Sequence, residues 1–174
     1  LYRAVGFIGL ENGLDLDTFD PTEMVRIATG LDLSLPFSTE LRTSAIGKAA
    51  SKVAAFAEVR KALLRKQRDF AENPPRKNGA VLDGRDIGTV VLPNADLKFF
   101  IDADINIRAD RRTKELRQAG QSAMFRDILA DMTMRDGRDR SRAVAPMRAA
   151  KDAITIDTSH LDASEVLQLA LAHI

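Results

Sequence analysis

The sequence predicts an α/β fold in which a parallel sheet is wrapped by helices, and three observations point to it. Three short apolar runs, "AVLD" (80–83), "LKFFID" (97–102) and "AITID" (153–157), are continuous rather than alternating, as strands buried on both faces are. Stretches of helical length and spacing lie between the second run and the third, and another follows the third. Strands alternating with helices in this way build parallel sheets. The third observation is size: 174 residues at 45% hydrophobic content suffice for one domain with a real core.

Each element has its own signals. Residues 2–12, "YRAVGFIGLEN", read as a helix stopped by Gly13, which tolerates the left-handed conformation of a cap. In "DPTEMVRIATG" Asp20 is the N-cap, Pro21 takes the first helical position, Glu23 is placed to reach back from the third, and Gly30 stands at the far end. "LDLSLPF" (31–37) alternates like a strand and ends abruptly. Between 43 and 70, Ile46, Ala50, Val53, Phe56, Val59, Leu63 and Phe70 recur at helical spacing. That predicts two helices, or one with a break near Ala55, ended by "NPP" at 73–75. Further helices are predicted over about 105–119, capped by Asp104 and closed by Gly120, and over about 123–138. A last one, "ASEVLQLALAHI", follows Asp162 as N-cap with Glu165 three residues on.

Composition narrows the chemistry. There is no cysteine, which excludes a disulfide framework and a thiolate metal cluster, and His160 and His173 are the only histidines. The expected compartment is therefore a reducing cytoplasm. No apolar run approaches the ~20 residues needed to cross a bilayer, and "LYRAVGFIGLENG" lacks the basic flank and cleavage site of a signal peptide. Net charge is only +1, yet residues 108–148 hold ten arginines and Lys114 against six acids. Such a segment either faces something anionic or is a solvated helix surface.

Ligands of parallel sheets bind outside the carboxyl ends of the strands, and "DGRDIGT" follows directly on "AVL" at such an end. Its charges, Asp83, Arg85 and Asp86, would equally suit a glycine turn in water. In "RDGRDRSRAVAP" (135–146), Arg135, Arg138 and Arg142 would share one face of a continuing helix, with Asp139 beside them. Three like charges on one stripe repel unless something neutralises them. A surface helix balanced by Asp131, Asp136 and Asp139 is the ordinary alternative. In "AASKVAAFAEVR" the small residues beside Ser51 and Arg60 leave room for a flat ligand, or for a closely packed neighbouring helix.

Taken together these segments resemble the bacterial cytidylate (CMP/dCMP) kinases, of the nucleoside monophosphate kinase family. The resemblance runs in order through "LYR", "RTSAIGKAASKVAAFAEVRKALLRKQRDF", "DGRDIGTVVLPNADLKFFIDA", "RRTKELRQAG", "RDGRDRSRAVAPM" and "DAITIDTS", nearly the whole chain. It implies a single kinase domain over 1–174, a three-layer P-loop NTPase sheet wrapped by helices, and an arginine-rich lid at about 120–148. It also implies transfer of the γ-phosphate of ATP to CMP or dCMP, with Mg²⁺, in a cytoplasmic monomer that binds neither membrane nor nucleic acid.

Two departures stand out. The family opens with a strand, a Gly-x-x-x-x-Gly-Lys-Ser/Thr phosphate loop and a helix, whereas this sequence contains no Gly-Lys-Ser or Gly-Lys-Thr, and "GKAA" at Gly47 falls mid-helix. The phosphate loop and its flanking strand and helix are absent from this sequence, and a chain truly lacking them is expected to be inactive. Residues 31–42 resemble a remnant of the family's monophosphate-binding insert.

By resemblance, Arg3, Arg85 and Arg142 hold the acceptor phosphate, for which forked guanidiniums suit better than lysine. Ser51, Arg60 and Asp86 read the cytosine edge, and Asp139 holds the sugar hydroxyls. Arg135 and Arg138, with Arg111 and Arg112, touch the donor and transferring phosphates, so that Arg85, Arg135, Arg138 and Arg142 form the catalytic set. Asp83 is the candidate for orienting Mg²⁺ through water or for holding Arg85. Two other readings remain at this stage: a kinase for another monophosphate such as UMP, and a non-catalytic nucleotide- or RNA-binding module. RNA binding normally adds exposed aromatics for stacking, and the basic segment offers only Phe125.

Overall fold

The computed structural model describes residues 1–15, 18, 20–32, 41, 43–75 and 77–174. They form two compact units, Leu1–Leu82 and Asp83–Ile174. The first is helical. Helix α1 (Tyr2–Glu11) ends where Gly13 takes a φ of 74°, the left-handed conformation its sequence predicts. Helix α2 (Pro21–Gly30) starts on Asp20, whose carboxylate accepts from Thr22 N at 2.8 Å. That backbone hydrogen bond holds the Asp20 carboxyl below its ordinary pKa. Glu23 does not reach back to complete a capping box. Its carboxylate is taken by Arg26 one turn on, at 2.5 and 2.9 Å, because a guanidinium offers two charge-assisted donors where the cap offers one neutral N–H.

The long apolar repeat is broken where its sequence predicts. Helix α3 (Ser44–Val53) begins at the N-cap Thr43, and helix α4 (Ala57–Glu72) follows after a turn at Ala54, Ala55 and Phe56. Met24, Val5, Val53, Val59 and Leu63 are buried together at the centre of this unit. Helix α1 packs against α3, and Gly6 sets how closely. A Cβ at position 6 would lie 2.9 Å from Ala49 Cβ and 3.2 Å from Ala50 N. Gly6→Ala would gain up to ~1 kcal/mol in helix propensity, but overpacking against backbone typically costs ~1–3 kcal/mol. The expected net result is a loss of about 1 kcal/mol in urea unfolding, and a stabilised variant would show that α1 and α3 separate freely.

The second unit holds strand β1 (Phe99–Asp102), helices α5 (Ile105–Gln118) and α6 (Phe125–Ser141), strand β2 (Ile154–Asp157) and helix α7 (Ala163–Leu171). The strands pair in parallel, Phe99 opposite Ile154 and Asp102 opposite Asp157, with α5 and α6 as the crossover. Asp104 caps α5 by accepting from Asn106 N at 2.8 Å, and Gly120 (φ 74°) lies just beyond its end. Asp162 and Glu165 form a complete capping box on α7. Arg108 ties α5 to α6 through a 2.7 Å ion pair with Asp136.

Two sequence expectations are corrected. "AVLD" is not a strand among the described residues, and Val81 is 96% exposed. An apolar run becomes a strand only where a ladder accepts its backbone groups, and β1 and β2 pair only with each other here. For the same reason the strands are not buried on both faces: in β2 Ile156 is buried, whereas Thr155 and Asp157 on the opposite face are exposed. The strand predicted over 31–37 falls mostly outside the described residues. No helix among the described residues is long and apolar enough to cross a membrane.

Candidate active site

In the first unit the predicted residues sit at helix ends and breaks. Arg3, in the first turn of α1, donates from one guanidinium nitrogen to Leu41 O at 2.5 Å and to Thr43 O at 3.3 Å. Its guanidinium lies on Gly47 of α3, where a Cβ would come within 3.3 Å. Thus Gly47, although outside any phosphate loop, leaves space for Arg3. Ser51 is buried on α3, and Arg60 is buried on α4. Arg60 donates to Ala54 O in the α3–α4 turn at 3.4 Å, and its guanidinium carbon lies 5.6 Å from the Tyr2 ring centroid. A cavity of about 580 Å³ between α2 and α4, lined by Val25, Thr29, Lys61, Ala62 and Lys66, contains none of the predicted residues.

The second unit gathers charge far more tightly. After exposed Asp83 and Arg85, the chain enters a short π-helical turn (Ile87–Val91) that its sequence does not announce. The carbonyl of Asp86 accepts from Val90 N at 2.9 Å and Val91 N at 3.2 Å, and Asp86 itself is buried. Single π turns are rare and concentrate at functional sites.

Arg85 meets the end of α6. The Asp139 carboxylate, 1% exposed, pairs with Arg142, lies 3.4 Å from Arg85 Nε and lies 3.8 Å from Arg135 Nε. Three guanidiniums thus converge on one buried carboxylate. Helix α6 stops at Ser141, so Arg142 does not continue the predicted stripe; extended backbone (φ −57°, ψ 134°) follows, and the side chain turns back onto Asp139. Arg138 stays half-buried on α6. The chain beyond is folded down by Met147, whose N–H donates to Asp139 O at 2.8 Å and whose sulfur accepts from Arg85 at 3.2 Å. Ala145 in this loop has a φ of 51°, a conformation costing an L-residue ~1–2 kcal/mol. Asp139 Oδ2 and Arg142 Nε are buried yet make no hydrogen bond. Buried polar atoms with unmet hydrogen bonds beside converging guanidiniums suit the binding of an anion.

Arg111 and Arg112 lie elsewhere in the second unit. Arg111 donates to Thr158 O at 2.6 Å and Leu161 O at 3.1 Å, gathering the loop after β2, and Arg112 pairs with Glu115 at 2.7 Å. In the same loop Asp157 accepts from Ser159 Oγ at 2.6 Å and Ser159 N at 2.9 Å, which holds its carboxyl below the ordinary value.

A family model described as cytidylate kinase matches residues 1–174. The chain belongs to the cytidylate kinase family. Among its relatives, the cytidylate kinase of Rhodospirillum rubrum is 49% identical over 172 residues, 98% of this chain and 80% of the relative. That of Paramagnetospirillum magneticum is 48% identical over 98% of this chain and 80% of the relative. That of Pasteurella multocida is 43% identical over 188 aligned positions, the whole of this chain and 80% of the relative. As a member of this family the chain is a phosphotransferase, and the family has the P-loop NTPase fold, consistent with the parallel β1–β2 pair.

Sequence reasoning assigned no role to Lys98, Met147 or Arg108; the structure pairs Met147 with Arg85, Arg108 with Asp136 and Lys98 with Asp152. One signal was legible: a lysine inside the apolar run "LKFFID" must either leave the sheet or find a partner.

Proposed function

We infer that this chain, completed by the phosphate loop that its family carries, transfers the γ-phosphate of ATP to CMP and dCMP, giving CDP and dCDP. The observation that carries the reading is the set of three guanidiniums on the buried Asp139, with unmet polar atoms among them. Phosphoryl transfer asks a protein mainly to position two anions and to neutralise charge that develops between them. Asp139 supplies the positioning: it separates Arg85, Arg135 and Arg142 and fixes their direction. Arg85 and Arg142 take the acceptor phosphate, and Arg135 and Arg138 take the transferring one, with Asp139 Oδ2 available to a sugar hydroxyl. Arg111 and Arg112 act toward the donor nucleotide, Arg111 by shaping the loop at 158–161. Arg3, Ser51 and Arg60 are assigned to the acceptor by the family resemblance. The segment at about 120–148 is the arginine-rich lid of a three-layer sheet fold, and the enzyme works as a cytoplasmic monomer.

Mg²⁺ fits the residues present in one way. Among the described residues no group of three carboxylate or histidine side chains could hold a metal ion. Mg²⁺ does not need one, since it commonly takes one or two carboxylates and completes its shell with water and substrate phosphates. Exposed Asp83 suits that water-mediated role. When bound with ATP the ion supplies charge neutralisation on the phosphates.

Asp86 selects the base. Cytosine presents an amino donor at its fourth position where uracil presents a carbonyl acceptor, so a carboxylate attracts one and repels the other. Asp86→Asn is expected to shift kcat/KM by about 10-fold toward UMP relative to CMP, or ~1.4 kcal/mol in transition-state preference. Assays of both proteins with both nucleotides decide it. Equal losses for CMP and UMP would mean that Asp86 supports an arginine and does not read the base.

A further inference from the structure

The π turn that follows Arg85 needs support from outside itself. Its own hydrogen bonds run from Val90, Val91 and Leu92 back to Asp86 and Ile87, and a single π turn is not a form that backbone bonding favours alone. The support is Lys98. Its ammonium donates to Pro93 O at 2.5 Å, just past the turn, and to Asp152 Oδ2 at 2.5 Å, just before β2. Its stem lies under the turn: a Cβ at Gly88 would come 3.2 Å from Lys98 Cδ and 3.5 Å from Cγ. Its own carbonyl accepts from Ile154 N at 2.9 Å, so the same residue is anchored to β2.

The lysine side chain is 6% exposed, whereas Asp152 is largely in water. The Lys98 hydrogen bond holds the Asp152 carboxyl below its ordinary value. Burying an ammonium is costly, and an apolar residue of similar volume often serves stability as well or better. A buried lysine that ties the chain just past the turn to the residues before β2 gives position where an apolar side chain would give only burial.

We propose that Lys98 is a positioning residue for acceptor recognition, acting through the turn and never touching the nucleotide, to hold Arg85 and Asp86 where they meet CMP. This rests on the assignment of Arg85 and Asp86 to the acceptor. Lys98→Met keeps the stem on Gly88 and removes both hydrogen bonds. It should raise KM for CMP about tenfold, leave KM for ATP within about twofold, and lower the CMP-to-UMP preference, the direction expected of Asp86→Asn. Lys98→Arg, which keeps charge and donors, should recover most of the loss. Asp152→Asn, on an exposed side chain, should show the same change in milder form and serves if Lys98→Met does not fold. Calorimetric titration of CMP and UMP into each protein provides a second readout, independent of ATP.

Thermal unfolding separates the two roles. A purely structural Lys98 would lower the melting temperature while leaving KM for CMP and the CMP-to-UMP ratio unchanged, and that result would overturn the proposal. So would equal failure of Lys98→Arg and Lys98→Met. Wild-type protein that neither binds nor phosphorylates CMP would instead overturn the proposed function, and this inference with it.

Discussion

Replacing Arg142 by alanine is expected to lower kcat about 100-fold or more with CMP as acceptor. Removing one preorganised donor from a charged transition state typically costs 10²–10³ in rate, and Arg142 is well placed for that role. Its side chain is 9% exposed, it is paired with Asp139, and its Nε is buried without a hydrogen bond. The fold should survive the change, because Asp139 keeps Arg85 at 3.4 Å and Arg135 at 3.8 Å. Arg142→Lys is expected to recover only part of the rate, since an ammonium keeps the charge but loses the planar fork. Steady-state kinetics with CMP and dCMP, beside an unfolding curve, test both statements. A loss below about fivefold would leave Arg142 as no more than the tie that closes α6.

Asp139→Ala is expected to act on stability as well as rate, lowering the unfolding free energy by about 3 kcal/mol. Breaking a buried ion pair from one side costs ~3–5 kcal/mol, because the remaining charge has no compensation. The lower end applies here, since Arg85 and Arg135 keep 39% and 32% of their side-chain surface in water and can rehydrate. The loss should shrink when an anion takes the place of the carboxylate. CMP or inorganic phosphate should therefore raise the melting temperature of the variant more than that of the wild type. A variant that unfolds at the wild-type urea midpoint would show that the arginines do not depend on Asp139.

Local chemistry was readable residue by residue. Gly13 and Gly120 adopt the left-handed conformation that only glycine takes cheaply, Asp104 and Asp162 cap the helices they precede, and the break near Ala55 lies between α3 and α4. Each of these is decided within a few residues, so the chain states it directly. Glu23 shows the limit of that logic. The capping pattern was correct as a pattern, but Arg26 one turn away competes for the same carboxylate and holds it. The site divides in the same way. Sequence alone picks out Arg85, Asp86, Arg135, Asp139 and Arg142 as charges in specific motifs, and the family resemblance proposes them as donors and acceptors for a nucleotide.

What only the tertiary structure decided is which of those charges meet. Arg85 and Asp139 belong to distant segments, and it takes the close of α6 and the Met147 fold-back to place them 3.4 Å apart. The run "AVLD" carries the composition of a buried strand, yet a strand is a relation between two backbones and this one has no ladder among the described residues. Lys98 is the inverse case, a polar residue in an apolar run whose purpose appears only once Gly88, Pro93 and Asp152 surround it. Caps and turns depend on short-range bonding that the order of residues fixes. Strand pairing and charge clusters depend on which distant groups the fold removes from water together, and that is a property of the folded chain.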